Sequence, residues 1–311
     1  MTAKQKISPS LWFDSQAEEA ASFYVSTFKN SRVGYVTRYT KAGFDVHHMP
    51  EGTVMTVEFE IGGLKFIALN GGPLFKFNPS VSFMVNLDPS RDKNARENID
   101  ALWEKLSTEG TSVMPLQEYP FSKRYGWVQD KYGLSWQLIL SDPKGEERPF
   151  IVPSLMFVGA MSGKADEAIG FYLSVFKDSK RGIVARYGSG QEPDREGTIM
   201  FADFMIENQW FAAMDSARRH DFTFNEAISL MVECQSQEEI DYYWARLTAN
   251  GGQESVCGWL KDKFGVSWQV VPTLLDEMLR DKDKEKVERV TNAFLKMKKL
   301  DISELQKAFK G

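Results

Sequence analysis

Two carboxylates and two amides recur at matching places in this 311-residue chain. Glu58 lies in an alternating run at 54–61, with Val57, Phe59 and Ile61 on one face and Thr56, Glu58 and Glu60 on the other. If the apolar face packs on a helix, Glu58 points the opposite way. Desolvation in an enclosed site there would raise its pKa toward general-base range. The alternative is a sheet with one face in water. Asp203 echoes Glu58 later in the chain. Gln137 sits between Trp136 and Leu138, and Gln269 between Trp268 and Val270, so alternation turns each amide away from the tryptophans. Such an amide can orient a polar ligand through one donor and one acceptor, or make a structural hydrogen bond. Segment 115–126 carries Tyr119, Phe121, Ser122, Lys123, Arg124 and Tyr125. It reads as a long loop, either a lid that clamps an anionic or planar ligand or a solvated connection. Its counterpart, 251–258, is shorter, so if only one site works it is the one in the first half.

Other reactive types are sparse. His47, His48 and His220 are the three histidines, and the adjacent pair would point to opposite faces of a strand. Cys234 and Cys257 give no disulfide framework and suit a reducing cytoplasm. Met205, Met214 and Met231 read as core filling, and Gly188-Ser189-Gly190 as a turn. The 38 basic and 43 acidic residues are mixed, with formal net charge −5 and no basic stripe for nucleic acid. No apolar run approaches the ~18 residues that span a bilayer. The polar start at 1–6 leads directly into a strand-like segment, so no signal peptide is expected and the location expected is cytoplasmic.

The elements that must position these residues occur twice. Asp130-Lys131-Tyr132-Gly133-Leu134-Ser135-Trp136-Gln137 returns as Asp262-Lys263-Phe264-Gly265-Val266-Ser267-Trp268-Gln269. Phe23-Tyr24 returns as Phe171-Tyr172, and Trp103…Leu106 as Trp244…Leu247, with order preserved. The period is too long for a solenoid and indicates duplication of a whole domain. Domains are expected at 1–140 and 151–272, with a linker at 141–150 that holds Pro143, Lys144, Gly145, Glu146, Glu147, Arg148 and Pro149. Within each repeat the pattern is strand, helix and strands, then the same again, giving four βαβββ modules. The remainder, 273–311, is a helical tail with stripes Val287, Val290, Phe294, Met297 and Ile302, Leu305, Phe309. Docking on the domains, a dimer contact and a partner-binding arm are its alternatives.

Pro9-Ser10-Leu11-Trp12-Phe13, the helix ending Phe23-Tyr24 and the W-x-x-D-x-x-G-x-x-W-Q run from Trp127 to Gln137 resemble the PhnB-like branch of the vicinal-oxygen-chelate superfamily. Glyoxalase I, extradiol dioxygenases and bleomycin-resistance proteins belong to it. Trp259, Asp262, Gly265, Trp268 and Gln269 repeat the match, which spans about 7–140 and 151–272. The resemblance implies an α+β fold of tandem paired, glyoxalase-like βαβββ modules around a concave cleft. Metal-using members carry four ligands, mostly His and Glu, on inward-facing strand positions. Carried over, those positions fall on Pro9, Thr56, Ser82 and Gln137, and on Pro153, Phe201, Ser229 and Gln269. Many PhnB-like sequences place His where Thr56 and Phe201 stand. Proline and phenylalanine cannot ligate, and neutral Ser and Thr are poor ligands for a divalent ion. No metal ligand is assigned, and no cofactor is expected, with a divalent metal as the alternative. Some relatives carry the name of a demethylubiquinone methyltransferase, but no glycine-rich strand-to-helix loop supports nucleotide binding here.

Two functions stay open. One is a small-molecule binding or sequestering protein with Phe13, Thr56, Ser82, Arg124, Tyr125, Gln137, Asp203, Ser229 and Gln269 around the ligand. The other is a lyase, isomerase or dioxygenase that uses a divalent metal or Glu58 as base. Expected partners are a small molecule, with no nucleic acid and no membrane. The repeats would form an internal pseudo-dimer, and a homodimer is an open alternative.

Overall fold

A computed structural model describes residues 5–142 and 145–311, so residues 1–4 and Pro143 and Lys144 of the expected linker lie outside the described residues. The first module runs β1 (Ile7–Phe13), α1 (Ala17–Thr27), β2 (Ser31–Arg38), a single helical turn α2 (Phe44–His47), β3 (Val54–Ile61) and β4 (Leu64–Asn70). The second is β5 (Val81–Leu87), α3 (Ala95–Ser107), β6 (Thr111–Tyr119), β7 (Ser122–Gln129) and β8 (Ser135–Leu140). The third is β9 (Ile151–Phe157), α4 (Ala165–Val175), β10 (Lys180–Arg186), β11 (Ile199–Ile206) and β12 (Gln209–Asp215). The fourth is β13 (Ile228–Cys234), α5 (Gln237–Leu247), β14 (Gln253–Glu254), β15 (Trp259–Lys261) and β16 (Ser267–Pro272). The tail holds α6 (Thr273–Leu279), α7 (Lys284–Phe294) and α8 (Ile302–Lys310). The fold is α+β, with glyoxalase-like tandem modules and C-terminal helices.

The sheets do not follow the repeats. One eight-stranded sheet has the order β14-β15-β16-β13-β1-β4-β3-β2, and the other β10-β11-β12-β9-β5-β8-β7-β6. Each therefore joins half of the first repeat to half of the second. The seams are antiparallel: Ser10 pairs with Ser229 across β1 and β13, and Ser82 with Ser154 across β5 and β9. Helices cover one face of each sheet. Leu11, Phe59, Trp136, Phe157, Phe204 and Trp268 from both sheets meet Tyr24, Ile99, Tyr172 and Ile240 from four helices in one core.

The repeated D-K-[YF]-G-x-S-W-Q run is the bolt of that core. Asp130 Oδ2 accepts from Tyr24 Oη (2.9 Å) and Trp136 Nε1 (2.8 Å), and Oδ1 accepts from the backbone N–H groups of Tyr132 and Leu134. Asp262 repeats this with Tyr172, Trp268, Phe264 and Val266. Gly133 (φ +85°) and Gly265 (φ +87°) supply the left-handed residue that brings those N–H groups round to one carboxylate. Because Tyr24 belongs to the first sheet's module and Asp130 to the second's, each network ties the two sheets together inside one repeat.

One expectation changes. Segment 115–126 is not a loop but most of the β6–β7 hairpin, whose Pro115 is tolerated because β6 is a bulged edge strand. Its counterpart is the stub β14–β15. There the tail takes up the backbone groups instead: the N–H groups of Cys257 and Gly258 donate to the carbonyls of Met297 (2.7 Å) and Lys298 (2.8 Å). The tail docks, with Val290, Leu300 and Leu305 buried against α6. It also reaches the other edge of that sheet, where Leu295 packs on Gly43 and Lys284 pairs with Glu51 (3.6 Å). No helix among the described residues is long and apolar enough to cross a membrane.

Burial pushes the carboxyls of Asp130 and Asp262 up to about 6 from an ordinary 3.8, although their hydrogen bonds pull the other way. The folded protein thus binds these protons more tightly than the unfolded chain, and this contribution to stability grows as pH falls through 6 and levels off near 4. Tyr24→Phe removes one donor to the charged acceptor. It should cost about 1–3 kcal/mol at pH 7 and measurably less at pH 5 in urea unfolding; an equal loss at both would contradict this account.

Candidate functional site

Strand pairing fixes what each sheet presents on the face opposite the helices, the far face. In the first sheet, register places Thr56 and Glu58 beside Leu69 and Ile67, which in turn flank Trp12 and Ser10. Ser10 faces Ser229, and Met231 faces Gln269. In the second sheet the same positions are Phe201 and Asp203, Ala212 and Met214, Ser154 and Met156, Ser82 and Met84, and Gln137. The expected ligand positions therefore regroup. Thr56, Glu58, Ser229 and Gln269 share the first sheet, whereas Ser82, Tyr125, Gln137 and Asp203 share the second.

Four expected positions are corrected. Phe13 is not on the far face: it shares the near face with Leu11 and packs edge-on against Phe77 (5.0 Å) and Tyr132 (6.0 Å). Its neighbour Trp12 takes the far face and donates Nε1–H to the Gly72 carbonyl (2.8 Å). Arg124 also points to the helices, where its Nε donates to Asp100 on α3 (2.7 Å). Strand parity leaves Tyr125 and Trp127 on the far side. Pro9 and Pro153 lie on the near face too, one residue out of register with Ser8, Ser10, Val152 and Ser154.

The amides are spoken for. Gln137 Nε2 donates to Ser82 Oγ (2.8 Å), and its Oε1 accepts from Tyr125 Oη (2.7 Å). Gln269 Nε2 donates to Ser229 Oγ (2.8 Å). Thr56 Oγ1 bonds Thr37 Oγ1 (2.6 Å). By contrast, the Oγ atoms of Ser154 and Ser267 are buried without a hydrogen-bond partner among the described residues. Over the second sheet's polar line lie two apolar groups that sequence reasoning missed. Met84, Val152, Trp210 and Ala212 form one, against Phe201 and Met205. Tyr125, Trp127, Met156 and Val158 form the other, against Met114, Tyr119, Met214 and Phe222. Met205, Met214 and Met231 thus sit on far faces rather than in the main core.

Glu58 and Asp203 are both latched by arginine. Arg280 Nη2 lies 2.7 Å from Glu58 Oε1, and its guanidinium stacks 4.3 Å from the Tyr35 ring centre. Arg148 Nε lies 2.7 Å from Asp203 Oδ2 and stacks 3.8 Å from the Trp210 ring centre. Asp203 Oδ1 also accepts from the Ile183 N–H (2.6 Å). Arg148 lies eleven residues beyond Gln137, and Arg280 eleven beyond Gln269, so the latches are one feature duplicated. Each crosses between repeats: the end of repeat one grips the acid of repeat two, and the reverse. Gly34 and Gly182 make room, since a Cβ at Gly34 would meet Glu58 Cβ at 3.1 Å and one at Gly182 would collide with the Asp203 carboxylate.

His220 borders the second far-face group through Phe222, whereas His47 and the thiols lie elsewhere. His47 packs on Tyr39 (4.4 Å) in the α2 turn, and His220 Nε2 bonds Ser216 Oγ (2.9 Å) beside Phe222. Burial pushes the thiols of Cys234 and Cys257 up to about 12 and about 11, away from reactive thiolate. Gly188-Ser189-Gly190 is a turn, not a strand-to-helix loop. Among the described residues no group of three or more His, Cys, Asp or Glu could hold a metal ion. The neutral hydroxyls and amides of the far faces fit a divalent ion poorly.

Arg148→Ala would leave Asp203 buried with a single N–H partner. We expect a loss of about 3–5 kcal/mol in urea unfolding, restored in part by Arg148→Ala with Asp203→Asn. The more exposed Arg280–Glu58 pair should cost less on the same substitution.

The model of the family described as 3-demethylubiquinone-9 3-methyltransferase matches residues 5–139 and again 149–271. Among solved structures, the PhnB protein of Bacillus cereus is 38% identical over 44% of this chain and 100% of its own, with a TM-score of 0.39. A protein from Staphylococcus aureus is 31% identical over 44% of this chain and 97% of its own, with a TM-score of 0.18. Glyoxalase I from Zea mays is 12% identical over 87% of this chain and 95% of its own, with a TM-score of 0.51, a likeness of fold alone. No curated protein matches the chain. With its model matched twice over both repeats, the chain belongs to the PhnB-like family described as 3-demethylubiquinone-9 3-methyltransferase.

Proposed function

We propose that the chain is a small-molecule binding protein, and that the far face of its second sheet is the cleft that takes the ligand, without a resident divalent ion. The ligand would be uncharged and largely apolar, with one polar group. The observation that carries this reading is the latch on Asp203. A general base or metal ligand needs a carboxylate with a free lone pair and freedom to change partner, whereas Asp203 holds Arg148 and a backbone N–H. What remains on that face is apolar and adaptable. Met84, Met156 and Met214 can shift to admit a guest, because unbranched thioether side chains repack at little cost. Buried among them, Ser154 Oγ has no partner among the described residues and offers the ligand its hydrogen bond.

The first sheet's far face is the weaker candidate, because the tail straddles it from the Gly43 and Glu51 side to Cys257 and Gly258. Family membership supports the fold, since one architecture hosts many sites. The methyl transfer named in the family description finds no matching nucleotide-binding loop in the chain.

Native mass spectrometry with elemental analysis of untagged protein tests the proposal. We expect one organic adduct per chain, lost in Met156→Trp, which fills the cleft, and unaffected by Glu58→Gln. One equivalent of zinc, nickel, manganese or iron per chain would overturn the reading in favour of a superfamily enzyme.

A further inference from the structure

A groove of about 750 Å³ opens on the helix side of the first repeat, between the end of α1, α3 and segment 147–150. Phe28, Leu102 and Phe150 are among its apolar walls, and Lys29 and Lys105 also line it. The corresponding place in the second repeat is filled. There Phe176, the match of Phe28, stacks on Tyr243 at 5.3 Å. Tyr243 Oη donates to Glu207 Oε1 (2.7 Å), and Tyr242 Oη donates to the Val175 carbonyl (2.8 Å). Lys6 Nζ covers the Tyr243 ring at 5.5 Å. Aligning Trp103 with Trp244 puts Ala101 and Leu102 where Tyr242 and Tyr243 stand, and aligning Ile61 with Ile206 puts Gly62 where Glu207 stands. The groove thus opens where the second copy carries two tyrosines, while Phe150 packs over Gly62 at the position of Glu207.

The charges around it are unequally satisfied. Asp92 accepts from Asn98 Nδ2 (2.5 Å) and the Asn94 N–H (2.9 Å), Asp88 from the Ser90 N–H (2.8 Å) and Oγ (2.7 Å), and Glu147 pairs with Arg91. Among the described residues neither lysine has an ion-pair partner; Lys29 Nζ reaches only the amide oxygen of Asn98 (3.2 Å). Two uncommitted ammonium groups beside an aromatic recess favour a molecule that is flat and apolar at one end and anionic at the other.

We propose that this groove is a second binding site, separate from the far-face cleft, for a small amphipathic organic anion. Its apolar body lies among Phe28, Leu102 and Phe150, and its carboxylate or sulfonate is held by Lys29 and Lys105.

Fluorescence titration of the full chain with 8-anilinonaphthalene-1-sulfonate, and with uncharged N-phenyl-1-naphthylamine, tests this. We expect saturable sulfonate binding that weakens about tenfold in Ala101→Tyr with Leu102→Tyr, which rebuilds the filled state of the second repeat. Lys29→Ala with Lys105→Ala should weaken the sulfonate about fivefold and leave the uncharged probe unchanged. If the tyrosine variant does not fold, the lysine variant, altered only at the groove's charged groups, decides. No saturable binding, an unchanged sulfonate isotherm in a folded variant, or equal loss of both probes overturns the proposal.

Discussion

The antiparallel seams between β1 and β13 and between β5 and β9 are the constraint on which the rest of the molecule depends. They join halves of different repeats, so every far face is composite. Gln137 meets Ser82 from its own repeat, but Ser154 and Asp203 come from the other. The core obeys the opposite rule, because Tyr24–Asp130–Trp136 and Tyr172–Asp262–Trp268 bind the two sheets together within a repeat. Sheet hydrogen bonds thus hold the repeats to each other while buried carboxylates hold the modules of each repeat. Neither repeat can complete a far face without the other.

The arginine latches follow from that weave. A chain leaving β8 or β16 stays with its own sheet, and eleven residues past the glutamine it reaches an acid that the other repeat contributes to that sheet. Taking Asp203 out of water is costly unless it is paired, and Arg148 provides the pair together with a planar stack on Trp210. The linker and the start of the tail are therefore structural parts of the two faces rather than spacers. They also account for much of the difference between the faces: past Arg280 the chain continues into α7 and α8 and closes over the first sheet, whereas past Arg148 it enters β9.

Much of the architecture was legible in the sequence because it rests on residues that recur at fixed spacing in both repeats. The Asp130 network needs an acid, a left-handed glycine and a tryptophan at fixed spacing, so both copies retain them. In β3 one face is polar, and alternation alone put Glu58 opposite the helices. The site was harder to read where strands are apolar on both faces. β9 is buried along its whole length, so a period of two says nothing about Met156 or Ser154. In β7 the bulged pairing with a proline-containing edge strand hid the parity that separates Arg124 from Tyr125. Phe13 and Trp12 differ by one position, and the register of β1 on β4 and β13 sets which ring faces outward, where Trp12 bonds the Gly72 carbonyl. Which strands pair across repeats carries no local signal at all.

The most direct test of the composite faces is to divide the chain in its linker and co-express residues 1–142 and 143–311, which keeps Arg148, as separate polypeptides. The weave predicts that they purify as a one-to-one complex with the near-ultraviolet dichroism of the intact chain, and that neither alone is a folded monomer. Two independent monomers, each with native dichroism and its own cooperative unfolding transition, would contradict it.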